Sequence, residues 1–243
     1  MRKRKWFGVC GVLAFFVGGG LTALGVTLKH EPNFYQQCQV PEGDARVFLA
    51  NQFLSNFGQM MADISARQDE NWRCQFTEKQ LNSFLDDTFP KLGEGEGLRK
   101  MGISSPAFML EDDRVRLAFR YGSDWFSTVV SYDLKVWLVP KEPNTIAVEI
   151  LSARAGAVPI SSQSLLHQLS EFGRKQNKKV SLYRHEGNSV AVIHLQADQD
   201  PHPKWLLTAL QINHTGVSIH GRTPEHAMQP LDLSKTFKPA LAP

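Results

Sequence analysis

The stretch RVRLAFRYGSDWFSTVVSYDLKVWLV, residues 114–139, decides the fold of this 243-residue chain. In its first half Val115, Leu117, Phe119 and Tyr121 alternate with Arg114, Arg116, Ala118 and Arg120. In its second half Val130, Tyr132, Leu134, Val136 and Leu138 alternate with Ser131, Asp133, Lys135, Trp137 and Val139. Successive side chains of a strand point to opposite faces, so a period of two with one apolar series reads as a half-buried strand. A third strand over 145–153, with short polar turns at EDD (111–113) and KEPN (141–144), predicts an antiparallel meander with one dry and one wet face.

Toward the C-terminus, SARAGAVPISSQSLLHQLSEFG (152–173) passes from extended chain through a kink into helical spacing at Leu165, Leu166, Leu169 and Phe172. Gly156 permits a conformation that other residues resist, Pro159 ends the strand, and Ser161 or Ser162 is available as the N-cap. VSLYRHEGNSVAVIHLQ (180–196) reads as a hairpin turning at Glu186 to Asn188, and 204–212 pairs with 217–222 around NHTG. From 223 to 243 the chain reads as a flexible, Pro-containing tail.

Toward the N-terminus the period becomes helical. In DARVFLANQFLSNFGQMMADISA (44–66), Ala50, Phe53, Leu54, Phe57, Met60, Met61 and Ile64 recur at the three-and-four spacing of one helix face. Residues 71–76 read as extended, and Thr77 with Gln80 three positions on has the pattern of a capping box. The short helix it opens carries Leu81, Phe84 and Leu85 on one side, and Pro90 with GEGEG (93–97) reads as its stop. Pro32, Pro41 and Gly43 mark 29–43 as a stalk, which leaves 44–222 as one extracytoplasmic domain.

Ahead of the stalk, Arg2, Lys3, Arg4 and Lys5 form a basic cytoplasmic segment (1–5) before an uncharged run from 6 to 28. That run is long enough to cross a bilayer as one helix, and four cations before it against Lys29 after it place the N-terminus inside and everything downstream outside. The expected location is therefore a cell membrane, single-pass. A cleaved signal peptide is the rival, but the run exceeds the usual apolar region of roughly 7–15 residues and has no clear Ala-x-Ala ending. Ala14, Gly18 and Thr22, and likewise Gly19, Ala23 and Thr27, stand at a spacing that lets two helices approach, though ordinary membrane-helix composition also accounts for it.

The net charge of +3 comes from 27 basic against 24 acidic residues, and the four cytoplasmic cations account for the excess. The domain outside is near neutral, which argues against nucleic acid as a partner, since a basic face supplies most of that affinity. Cys38 and Cys74 lie in a compartment where disulfides persist, and a bridge between them is expected to contribute about 4 kcal/mol by the chain-entropy argument. Two unpaired thiols is the alternative.

The order of elements, with FTEKQLNSFL (76–85), the strand pair around MLEDDRVRLAF (109–119) and ILSARAGAVPISSQSLLHQL (150–169), resembles the YpmS-like family of bacterial single-pass membrane proteins. Thr77, Leu81 and Asn82 match that family's helix start, and Gly156, Pro159 and Leu165 match its small-residue junction. The resemblance covers roughly 76–221 and implies an α+β fold in which a highly curved antiparallel sheet wraps around two or three helices, behind one N-terminal transmembrane helix. At the level of fold it is similar to tubular lipid-binding proteins of the BPI type, a likeness that carries function only weakly.

The chemistry-bearing candidates have plain alternatives. The loop at 156–162 lacks the lysine and glycine density of a phosphate cradle, so the hinge reading prevails. His185, His194, His202, His214 and His220 have no paired ligand spacing, and no Gly-x-Ser-x-Gly elbow occurs. Asp86 with Asp87, and Asp112 with Asp113, read as solvated capping and turn residues. No motif asks for a cofactor or a metal, and no enzyme is expected. The stripe Phe53, Leu54, Phe57, Met60, Met61 and Ile64, with Phe84 and Leu85, is the candidate lipid-binding surface, because a dry sheet face closed over Phe- and Met-rich helices can hold an acyl chain. The expected function is membrane-anchored handling of lipid without catalysis. A scaffold module with a protein partner in a cell-envelope assembly is the alternative, and a packed core accounts equally for the stripe.

Overall fold

The residues of the alternating stretch form two paired strands at the centre of the larger of two sheets. The chain is described by a computed structural model over residues 25–66, 71–123, 126–140, 142–175, 178–195 and 205–223. The elements run α1 (Asn33–Cys38), α2 (Asp44–Ala66), β1 (Asn71–Thr77), α3 (Glu78–Asp87), a 3-10 turn (Phe89–Lys91) and α4 (Gly93–Lys100). They continue through β2 (Ile103–Glu111), β3 (Arg114–Ser123), β4 (Phe126–Leu138), β5 (Thr145–Ala155), β6 (Val158–Pro159), α5 (Gln163–Lys175), β7 (Val180–His185), β8 (Asn188–His194), β9 (Leu206–Asn213) and β10 (Gly216–Arg222).

Among the described residues all strand pairs are antiparallel, in a seven-stranded sheet ordered β2-β3-β4-β5-β8-β7 with β6 beside β5, and a three-stranded sheet ordered β1-β10-β9. The α+β class holds, but in two sheets where one was expected. The division arises because β1 pairs with β10, Asn71 opposite Arg222 and Thr77 opposite Gly216, and this contact between distant parts of the chain leaves no trace in local periodicity.

The main core contains Leu110, Val115, Val130, Tyr132, Leu134, Ile150, Ala153, Ala191, Leu166 of α5 and Ile212 of β9. The apolar series of β3 and β4 is its floor, with Leu117 opposite Tyr132 in the register. A second cluster lies around Ala118 and Val129, where Tyr35 and Cys38 of α1 pack on Ala107, Ala118 and Val129. The face read as wet is therefore covered where α1 lies. Segment 29–43 is correspondingly no free stalk, because Tyr35 is fully buried and its hydroxyl donates to the Ser105 carbonyl at 3.0 Å. The arginines of that face are kept at its rim by specific partners. Arg120 pairs with Glu31, and Arg116 lies 5.6 Å from the Phe34 ring centroid while reaching Glu111 at 3.2 Å and Asp133 at 3.4 Å.

Strand β2 is an edge, and α3 closes it. The Thr77 hydroxyl accepts from the Gln80 N–H and the Gln80 side chain accepts from the Thr77 N–H, which is the expected capping box. The helix so positioned turns Glu78 and Asn82, four residues apart, toward β2. Asn82 donates to the Phe108 carbonyl at 2.7 Å and accepts from its N–H at 2.8 Å, and Glu78 accepts from the Leu110 N–H at 2.8 Å. These bonds replace the missing neighbour strand, which is how an exposed edge is kept from pairing with another chain.

GEGEG does not act as a stop but begins α4. Gly95 is buried where a methyl group would meet the Phe89 carbonyl oxygen at 2.1 Å, so the close approach of the 3-10 turn asks for glycine inside the helix. The segment 1–5 read as cytoplasmic, the run 6–28 read as a span except for the helical residues 25–28, and the expected tail beyond 223 lie outside the described residues. Among the described residues no helix is long and apolar enough to cross a membrane.

Candidate functional site

Helix α2 runs 23 residues, about 34 Å at the helical rise, and its sequence from 47 to 62 holds no charged residue. The six stripe residues it carries divide over its two sides, and the other two, Phe84 and Leu85, come from α3. Phe53 turns inward, its ring centroid 4.7 Å from Phe76 of β1 and 4.5 Å from Phe84 of α3, and Phe84 reaches Phe89 at 6.2 Å. Met60, Ile64, Phe84 and Leu85 are partly buried with it. Rings in contact occupy the space between α2, α3 and β1, so this half of the stripe is packing.

The other half faces out. Leu54, Phe57 and Met61 are 41%, 45% and 45% exposed, and the same side carries Val47 at 43%, while Phe48, 61% exposed, lies half a turn round the helix from Phe57, whose ring still stacks on Phe53 at 6.4 Å. Val47, Leu54 and Met61 follow one another at seven-residue spacing, which lines them up along the helix, and Asn51, Gly58 and Ser65 fall between and after them. The result is a row of alternating bulk and gaps. Nothing lies within 4 Å of where a Gly58 side chain would begin, so the fold itself does not ask for glycine there. Val47 and Phe48 lie outside the predicted stripe, and the signal that finds them is the missing charge rather than the apolar period.

The kink at 155–159 is a hinge with a specific task. Gly156 has φ +59, and a methyl there would sit 2.3 Å from the Thr27 carbonyl oxygen and 2.6 Å from that of Leu28. Ala157 N–H donates to the Thr27 carbonyl at 2.9 Å, and the Thr128 hydroxyl donates to that of Leu28. The turn thus holds the carbonyl end of helical residues 25–28, where a phosphate cradle would have presented free amides to an anion.

The other sequence candidates stay apart. Cys38 and Cys74 are both buried and free, so the expected bridge is not formed. Each thiol faces a different partner, Cys38 the Glu78 carboxylate at 4.0 Å and Cys74 the Asn56 carbonyl at 3.6 Å. Burial, reinforced by the Glu78 charge, pushes the Cys38 thiol up to about 12, and burial raises Cys74 as well, so both stay protonated and unreactive. Asp87 pairs with Lys91 at 3.2 Å, Asp113 occupies a turn at φ 58, and Asp112 faces His214 at 3.5 Å on the surface. His194 meets the Thr145 hydroxyl at 3.2 Å, and His185 approaches Glu149 at 3.6 Å. Among the described residues no group of three or more His, Cys, Asp or Glu side chains is placed to hold a metal ion.

Three pockets adjoin the N-terminal segment. One of about 480 Å³ lies between the start of α2, α3 and β2 and is lined by Arg46, Asp86 and Ser105 among others. An open one of about 790 Å³ borders 25–31. A third, of about 430 Å³, lies where His30 and Asn33 meet Arg116, Arg154 and the 156–157 turn. None of the three is lined by the eight stripe residues. No family model, no curated protein and no solved structure matches this chain.

Proposed function

We propose that the protein is a membrane-tethered, non-catalytic interaction module of an extracytoplasmic assembly, with the outward face of α2 as its docking surface. The observation that carries this reading is that face itself. It exposes Val47, Leu54, Phe57 and Met61 along a run that has no charge from 47 to 62. Exposed apolar patches of this kind mark interaction sites. A convex helix ridge cannot enclose an acyl chain as a concave pocket does, but its alternation of bulk and gap suits the ridges of a second helix. The occupant is therefore an uncharged helix of a partner protein held in the same membrane.

The test is purification of the full chain from its native membrane in mild detergent, followed by native mass spectrometry. One identified membrane protein at fixed ratio is expected, lost with Leu54→Lys and kept with Tyr183→Lys, a substitution at an exposed site on β7. A dimer of the chain that Leu54→Lys dissolves would make the occupant a second copy. A monomer indifferent to Leu54→Lys would overturn the reading.

Lipid handling is the second reading, and the pocket beside 25–28 favours it. Arg154 makes no ion pair among the described residues, and with His30, and with Arg116 in its pair with Asp133, it borders a recess next to the end of the expected span. A phosphate headgroup is the chemistry that such a recess would take. Retention of one anionic phospholipid per chain through delipidation, abolished by Arg154→Glu, would move the conclusion to this site.

A further inference from the structure

The pocket between α1, α2, α3 and β2 contains an arginine whose hydrogen bonding is unfinished. The Arg46 side chain is 18% exposed. Its Nη1 donates to the Val40 carbonyl at a long 3.4 Å, and its Nη2 reaches Glu42 at 3.6 Å, a carboxylate that is itself 89% exposed. Its Nε is buried without a hydrogen-bond partner, and Arg46 is the one charged residue with such an atom among the described residues. Buried donors are almost always satisfied, so this one marks an unfinished environment, but with no accessible surface of its own it leaves the Nη atoms to meet a ligand in the pocket. The pair Nη1 and Nη2 is the end-on edge with which guanidinium binds a planar carboxylate with two prongs.

Asp86 of α3 lines the same pocket, held by the Val40 N–H. Burial raises its pKa and the Arg46 charge opposes that rise, so the two groups sense each other, yet no ion pair forms between them. Gln36 and Gln39 add amides. Ser105 contributes a wall residue at φ 47, where the β2–β3 register is irregular between Ser104 and Ala107. Backbone strain of this type persists where surrounding structure enforces it, and it concentrates at ligand sites.

We propose that this pocket binds a small zwitterion of the amino-acid or short-peptide class, its carboxylate on Arg46 and its ammonium toward Asp86. The charges of the walls decide the class. Arg46 stands against two carboxylates, Asp86 and the more exposed Glu42, so a ligand with a carboxylate for Arg46 and an ammonium for the acidic side is matched at both ends, whereas a phosphate dianion would meet Asp86 and Glu42 as like charges. The volume of about 480 Å³ lies in the range of small-molecule sites. This site is independent of the outward face of α2 and of the recess at the span.

The experiment is ligand-observed NMR on the full chain in detergent micelles, with glycylglycine as the probe. Saturable binding is expected. N-acetylglycine, which lacks the ammonium, and glycinamide, which lacks the carboxylate, are each expected to bind at least about tenfold more weakly. Arg46→Gln and Asp86→Asn are expected to weaken glycylglycine to a similar degree with the thermal unfolding midpoint retained. Should Arg46→Gln fail to fold, the two blocked probes still decide. Absence of saturable binding to folded wild type, equal binding of the blocked probes, or preferential binding of inorganic phosphate would each overturn the proposal.

Discussion

The central sheet and helix α2 draw on similar apolar residues but bury them differently. Strands β3 and β4 are covered on both faces, by α5 and β9 on one and by α1 on the other, so that Ala118 and Val129 are almost wholly inaccessible. Helix α2 is covered on one side only, with Phe53 inside and Leu54, Phe57 and Met61 outside. Hydrophobicity alone therefore does not set burial in this molecule. Burial follows from whether a distant segment returns to cover the face, and among the described residues none covers the outer side of α2.

This contrast can be broken most sharply at Tyr35. Tyr35→Ala removes a fully buried ring and its bond to Ser105, and a loss of about 4 kcal/mol is expected in urea unfolding. A loss below about 1 kcal/mol would mean that α1 is not part of the core. Next comes Gly156→Val, which sets a branched side chain at positive φ against two carbonyl oxygens. A loss of about 3 kcal/mol is expected, with faster protease cleavage within 29–43 as the turn releases 25–28. Unchanged cleavage would separate the turn from the N-terminal segment.

Asn82→Ala strips the Phe108 N–H and carbonyl of their partner and is expected to destabilise by about 2 kcal/mol, with increased self-association as the β2 edge opens. On the α2 side the effects shrink and reverse. Gly58→Ala is expected to stabilise by about 0.5–1 kcal/mol, because a helix interior gains from alanine and nothing stands in its way. A loss would show that something in the folded chain already covers this position. Leu54→Asp is expected to shift stability by no more than about 0.5 kcal/mol, and a larger loss would place Leu54 in the core after all.

The helix over 44–66, the capping box at Thr77, the strand pairs and the hairpin at Glu186 were legible in the sequence, since each rests on a local period or a turn residue. The helix over GEGEG was not, because a glycine that looks like a breaker is explained only by the turn packed against it. Of the candidate site, the stripe was legible as one apolar face, but its division into an inner ring stack and an outer row was not. The helical period places Phe53 and Leu54 side by side on the helix, and only Phe76 and Phe84 decide which of the two is covered.

By itself the sequence determined the α+β class, the antiparallel pairing of neighbouring strands and the cap of α3, because these depend on residues a few positions apart. Tertiary structure alone decided that β1 joins β10, that 29–43 seals a sheet face instead of standing free, that two cysteines face different partners, and that Arg46 and Asp86 meet in one pocket. Each of these brings together groups distant in the chain. Their outcome is set by competition for one buried volume, which no local pattern encodes.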